Sequence, residues 1–298
     1  IVFPKPVMIM ALKAKTKADE DKLTTSLARL VEEDPTLTSE RNQETRQLLL
    51  SGMGESHLNI VLARLERKFG VNAELQKPLI SYRETIKSRA TAEGKHKKQS
   101  GGRGQFGHVW LEINPLPKDQ HFEFVNKIVG GVVPKNYIPA VEKGVVNTMA
   151  EGFLAGYPIT NIQVTIYDGS YHTVDSSDIA FQLAGRLALR KAMEQANPIL
   201  LEPIMYLEVT VPSDYMGDVM GDLNSKRGRI LGMEPAGKKN QVIKAHVPHG
   251  EMLNYCIDLR SITQGRGRFK MEFAHYEEVP AMLAEKVIEE AKKAKEES

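Results

Sequence analysis

The chain has 298 residues, 41% hydrophobic and 26% charged, the composition of a globular protein long enough for two or three domains. Its formal net charge of +2 sets up no overall field toward nucleic acid or membrane, so a polyanionic partner has to be met by local clusters. One cysteine, Cys256, excludes a disulfide framework and a cysteine metal centre within the chain and fits a reduced, cytoplasmic setting; no apolar run approaches the roughly 18 residues of a membrane span.

The chain opens on Ile1 and enters an apolar stretch at residues 7–12 almost at once, as a piece cut at a domain boundary would. A GxxxxGK[ST] loop is absent throughout. The expectation is therefore a chain that is not itself an enzyme, with no cofactor and no metal of its own.

Residues 7–12 predict a buried strand and residues 19–33 a helix with Leu23, Leu27, Leu30 and Val31 on one face. Strand candidates follow at 36–40 and 45–50. A helix over 55–69 carries Leu58, Val61, Leu62, Leu65 and Phe69, with Gly70 as its C-cap, and 71–76 closes the block as a strand. The order is βαββαβ, a ferredoxin-like sandwich over residues 1–78.

The middle block, residues 79–202, differs. It has extended stretches at 80–92, 108–113 and 122–126, a helix over 138–153 with Val141, Val145 and Met149 in line, and a strand at 159–166. A long helix over 177–196 has Ile179, Leu183 and Leu187 on one face, and Pro198 and Pro203 punctuate the exit. The βαββαβ order then returns over residues 203–278: strand 205–211, helix 215–225, a hairpin of 229–234 and 241–247, helix 251–262 and strand 268–273. An amphipathic helix with Leu283, Val287 and Ala291 in register occupies 279–298.

Two segments of the middle block carry chemistry. In residues 93–108, Lys95, Lys97, Lys98 and Arg103 face one carboxylate, Glu93, and five glycines let a backbone approach a surface closely. Such a loop suits a phosphate backbone; the plainer alternative is a solvated hairpin end. In residues 167–178, Asp175, Ser176 and Ser177 are N-cap types that start the long helix. Tyr171 and His172 sit in a Gly-Ser turn, where their rings face solvent unless something docks; stacking and hydrogen bonding to bases suit them.

Ser170, His172 and Asp175 hold the residue types of a nucleophilic triad, but they crowd into six positions of one loop and no GxSxG elbow accompanies them. His246 and His249, with Pro248 between them, make a weak metal pair. In the last block, Lys226, Arg227 and Arg229 follow one helix, and Arg266 and Arg268 follow the other at the equivalent turn. Basic residues there favour the helix dipole, and two such turns at matching places also predict an RNA-facing edge.

These residues resemble a known family. Residues 99–109 (Gln-Ser-Gly-Gly-Arg-Gly-Gln-Phe-Gly-His-Val) are similar to the glycine-rich tip loop of bacterial translation elongation factor G, and Gly169-Ser170-Tyr171-His172 with Val174-Asp175-Ser176-Ser177 resembles its second tip loop. Ser51-Gly52-Met53-Gly54-Glu55 with His57 resembles the third domain; Gly221-Asp222-Leu223 and Leu259-Arg260-Ser261 resemble the last. The likeness runs nearly the whole chain in colinear order, with Ser56, Asn59, Thr173 and Gly267 as departures from the pattern.

The resemblance implies an α+β chain, two ferredoxin-like sandwiches flanking an S5-like tip domain plus a C-terminal helix, equivalent to domains three to five of the factor. It implies a cytoplasmic, monomeric partner of the ribosome that promotes translocation of tRNA and mRNA, its tip entering the small-subunit decoding site and its other domains facing the large-subunit factor-binding region. GTP and Mg belong to N-terminal GTPase domains. Decoding-site contact falls on Gly102, Arg103, Gly104, Gln105, Ser170, Tyr171 and His172, with Gln105 and His172 foremost. Ribosomal RNA contact falls on Lys95, Lys97, Lys98, Lys226, Arg227, Arg229, Arg266 and Arg268. The alternatives are a paralog for ribosome recycling or tetracycline protection, and, from another class, a stand-alone RNA-binding module.

Overall fold

The computed structural model describes residues 3–4, 6–99, 104–117 and 120–296. The first sandwich comprises β1 (Met8–Ala14), α1 (Lys17–Glu33), β2 (Thr38–Arg41), β3 (Leu48–Gly52), α2 (Glu55–Phe69) and β4 (Ala73–Gln76). The sheet order is β2-β3-β1-β4, all antiparallel. Thr16 caps α1 by accepting from the Asp19 N–H, and Gly70 ends α2 at φ 63°, where glycine has no Cβ penalty. Leu23, Leu27 and Leu30 of α1 meet Leu58, Val61 and Leu65 of α2 in one buried cluster. β2 and β3 start later than the sequence predicts because Asx turns take the preceding residues: Asp34 Oδ1 accepts from Thr36, and Asn42 Oδ1 from Glu44 and Thr45.

The middle block contains β5 (Arg83–Ile86), β6 (Ala90–Lys98), β7 (Gln105–Pro115), β8 (Phe122–Asn126), α3 (Ile138–Glu151), β9 (Ile162–Ser170) and α4 (Asp178–Gln195). Its sheet runs β6-β7-β9-β8, with β8 and β9 parallel and α3 as the crossover, a βαβ unit in an otherwise antiparallel sheet. The stretch predicted at 80–92 divides in two, and β5 pairs with residues 198–201 of the next strand.

The face of α4 is the reverse of the predicted one. Ile179 and Leu187 are exposed, while Ala180, Phe181, Ala184, Ala188, Leu189 and Met193 are buried. Ala180, Ala184 and Ala188 stand where the helix lies too close to the sheet for larger side chains. A Cβ on Gly94 would stand 2.0 Å from the Ala184 carbonyl oxygen, and one on Gly107 2.4 Å from that of Ala180.

The last block contains β10 (Pro198–Pro212), α5 (Met216–Ser225), β11 (Arg229–Ala236), β12 (Asn240–Pro248), α6 (Tyr255–Thr263) and β13 (Arg268–Glu278), then α7 (Ala281–Glu296). The order β11-β12-β10-β13 repeats that of the first sandwich. Leu207, Val209 and Val211 pack on Val219, Leu223, Tyr255 and Leu259. Pro198 and Pro203 do not end the strand. Pro203 falls at the changeover between residues paired with β5 and residues paired with β12. Leu283, Val287 and Ala291 of α7 pack with Ala155, Leu200 and Val279.

The chain forms two compact units, residues 1–81 with 203–275, and residues 82–202 with 276–298. No helix among the described residues is long and apolar enough to cross a membrane.

Candidate nucleic-acid interface

The basic run of the middle block lies on a strand. β6 pairs with β7 through Lys95↔His108, Lys97↔Phe106 and Lys98↔Gln105, so a β-hairpin carries the lysines out to the end of the sheet. Lys95 and Lys97 share one face of β6 by the strand's alternation, and all three lysines are exposed. Gly94 and Gly107 do not reach a partner surface, as the sequence alone predicts; they admit α4 against the hairpin. Gly102 and Arg103 lie outside the described residues.

The second segment turns back onto this hairpin. β9 extends to Ser170, paired with His108. Of the three predicted cap residues only Ser177 caps α4, accepting from the Ala180 N–H at 3.3 Å. Asp175 and Ser176 instead bind the hairpin. Asp175 Oδ1 accepts from the Gly104 N–H at 3.0 Å, and its carbonyl accepts from the Phe106 N–H at 2.9 Å. Ser176 Oγ donates to the Phe106 carbonyl at 3.0 Å and accepts from the His172 N–H at 2.9 Å. Both segments are thereby held as one body.

This bonding decides what the tip offers. His172 Nδ1 lies 3.3 Å from the backbone nitrogen of Val174, 3.1 Å from that of Asp175 and 3.4 Å from Asp175 Oδ2, so this ring nitrogen is engaged within its own turn. Gln105 Oε1 accepts from His96 Nε2 at 2.8 Å, which leaves the Gln105 amide NH₂ outside that bond. The His172 side chain is 53% exposed and Tyr171 is 46% exposed. Lys97, Lys98, Gln99 and Gln105 from the hairpin, with Phe106, His172 and Asp175, line a concavity of about 140 Å³. Exposed Gln105 and His172 side chains beside exposed ammonium groups are residue types suited to acceptor-rich, anionic ligands such as a ribose-phosphate chain.

Ser170, His172 and Asp175 do not come together as a triad. Ser170 Oγ lies 2.7 Å from His108 Nδ1, and His108 Nε2 lies 2.9 Å from Glu93 Oε1, so Ser170 pairs with a different histidine. His96, bonded to Gln105, and His108, bonded to Ser170, are not among the predicted site residues. Their partners follow from strand register, which no local pattern encodes. His246 packs against the rings of Tyr206 and His275, and no cluster of three metal-ligating side chains occurs among the described residues.

The two basic turns of the last block lead into strands on different sides of the sheet. β11 and β13, which begin at Arg229 and Arg268, are opposite edges of the sheet. Both arginines are exposed. Lys226 Nζ sits between Asp222 Oδ1 at 2.8 Å and Asp258 Oδ2 at 3.0 Å. Burial acts to lower its pKa, but hydrogen bonds and charge from the two aspartates outweigh that and hold the ammonium above the ordinary lysine value. Arg227 pairs with Glu251 at 3.0 Å, and Arg266 stacks on the Tyr215 ring at 4.6 Å and bonds its hydroxyl. Much of this positive charge serves internal pairing.

Three family models match in colinear order: "Elongation Factor G, domain III" over residues 3–77, "Elongation factor G, domain IV" over 78–197, and "Elongation factor G C-terminus" over 199–287. Elongation factor G of Aquifex pyrophilus is 54% identical over 289 residues, 97% of this chain and 41% of the relative. A crystal structure of a Thermus thermophilus protein matches with a TM-score of 0.88 at 45% identity, covering 98% of this chain and 44% of that one. The chain thus spans about two fifths of the curated relative, 41% of its length. With the three domain models matched in colinear order over residues 3–287 and the two segments that carry Gln105 and His172 inside the domain IV match, the chain belongs to the bacterial elongation factor G family.

Proposed function

We propose that this chain is the ribosome-facing part of a translocation factor. Its tip enters the small-subunit decoding site as tRNA and mRNA advance, and its two sandwiches face the large-subunit factor-binding region. GTP and Mg²⁺ act in GTPase domains N-terminal to this region. The observation that carries the reading is the bonded pair of tip segments, which holds Gln105 and His172 in one concavity with Lys97 and Lys98.

Mechanically, the tip works as a pawl. Its donors engage the advanced tRNA–mRNA state and find no equivalent acceptors in the state before movement, and differential contact of that kind shifts a two-state equilibrium. Prior bonding of the two segments means little further ordering is needed on contact. Lys95, Lys97 and Lys98 add charge that attracts phosphate without reading sequence.

The test is a toeprint of mRNA movement on ribosomes with the full-length factor and GTP, wild type against His172→Ala. The expected result is a one-codon shift by wild type, slowed by the substitution, with ribosome-stimulated GTP hydrolysis kept. Equal loss of both activities defeats the tip-specific role. No shift by wild type, with GTP still hydrolysed, assigns the protein to ribosome recycling or tetracycline protection instead.

A further inference from the structure

A third segment reaches the same end of the middle domain, and no sequence motif marks it. Because β8 runs parallel to β9, with Asn126 opposite Ile166, the chain leaves β8 on the side where β9 continues to Ser170 and the His172 turn. Residues 127–137 fill the gap before α3, and they are firmly seated. The Lys127 N–H extends the ladder to the Ile166 carbonyl at 2.8 Å, and Asn126 Oδ1 accepts from the Ile128 N–H at 2.9 Å. Val133 is buried against Gly169, where a Cβ would stand 2.6 Å from its Cγ2. Tyr137 stacks on Phe181 at 4.7 Å and donates its hydroxyl to the Ser176 carbonyl at 3.3 Å. The segment is thus tied to both neighbours of the His172 turn.

Its crest is unlike its base. Gly130 and Gly131 both have φ near 70°, and a Cβ at either would meet nothing within 4 Å. Val129 beside them is 82% exposed and Val132 37%. Lys127 and Lys135 bracket the crest and are both exposed, and no carboxylate occurs between Glu123 and Glu142. An apolar crest between two cations, with no acid in the segment itself and Glu112 of β7 near enough to Lys127 to feel its charge, fits an RNA strand. The lysines would meet phosphates, and the valine would meet ribose and base edges, as apolar side chains do in shallow grooves.

We infer that residues 127–135 form a third RNA-contacting element of the tip, with Val129 as its apolar contact. This rests on the proposed placement of the tip against RNA and extends it to a segment beyond the two tip loops.

Charge substitution at Val129 tests it, because so exposed a position tolerates either sign without loss of fold. The full-length factor carrying Val129→Lys, Val129→Asp or, as a control, Lys98→Glu is bound to ribosomes over a range of salt. An RNA contact predicts that Val129→Asp weakens binding about three- to tenfold. It also predicts that Val129→Lys strengthens binding and steepens the plot of log affinity against log salt by roughly 0.7–0.9. Weakening by both substitutions at Val129 would identify an apolar protein partner and overturn the inference. No effect at Val129 while Lys98→Glu weakens binding would also overturn it and leave the proposed tip function standing. No effect from any of the three would remove both.

Discussion

Asp175 Oδ1 accepts the Gly104 N–H at 3.0 Å, joining residues 71 positions apart at one end of a sheet. The bond ties the start of β7 to the turn that carries His172. Asp175→Ala removes it and keeps the bond from the Phe106 N–H to the backbone carbonyl at 175. The expected cost is about 1 kcal/mol. Amide exchange checks it: Gly104 exchanges faster in the variant and Phe106 keeps its protection, whereas loss of protection at both would mean the segments part altogether.

Glycine substitutions separate close packing from chain entropy. Gly94→Ala and Gly107→Ala drive a methyl into the backbone of α4 and destabilise by about 3 kcal/mol or more, since that backbone has little room to give. In α5, Gly221 has open space around it, and Gly221→Ala stabilises by about 0.5–1 kcal/mol through helix propensity. Urea midpoints should move in opposite directions.

Glu84 is fully buried, and its two oxygens accept from five successive backbone N–H groups, Phe153 through Tyr157. Glu84→Gln turns an NH₂ toward N–H donors. The expected loss is about 3 kcal/mol, because buried donors are left unpaired. Thermal unfolding measures it; an unchanged midpoint would show that this loop carries little of the domain's stability.

Lys226→Met should behave as a stability variant. It leaves Asp222 and Asp258 without their shared cation and costs about 2 kcal/mol. Arg229→Gln, at an exposed strand start, stays within about 0.5 kcal/mol of wild type. Paired denaturation curves distinguish the two, and the reverse order would return Lys226 to the set of free RNA-facing charges.

Burial pushes the His249 imidazole below its ordinary value. The folded chain therefore keeps it neutral at a pH where the unfolded chain protonates it. Below about pH 6.5 the unfolded state binds more protons, so stability falls as pH drops toward the lowered folded value and is complete above that range. His249→Phe removes this contribution, and its urea midpoint should depend less on pH below about 6.5. An unaltered slope would assign the acid sensitivity elsewhere.

Periodicity carried most of the elements. Leu58, Val61 and Leu65 lie where a 3.6-residue repeat places a buried face, and Leu207, Val209 and Val211 where a two-residue repeat does. It failed at α4, where Ile179 and Leu187 form the more apolar line and yet face outward. Hydrophobicity marks a buried face only at ordinary packing distance. Here the distance is set by Gly94 and Gly107, which lie on other strands.

The sequence by itself determined the element order, the repeated βαββαβ topology, the family and the residue types at the tip, because each of these is written in local pattern or in contiguous motif. Tertiary structure alone decided what those residues do. It turned Asp175 and Ser176 from helix caps into a brace, bonded Gln105 to His96 and the His172 ring to its own turn, and engaged Lys226 internally. It also brought residues 127–137 to the tip through a parallel strand pair. Hydrogen-bond partners follow from register and crossover, which bring together residues far apart in the chain, and no spacing within one segment records that.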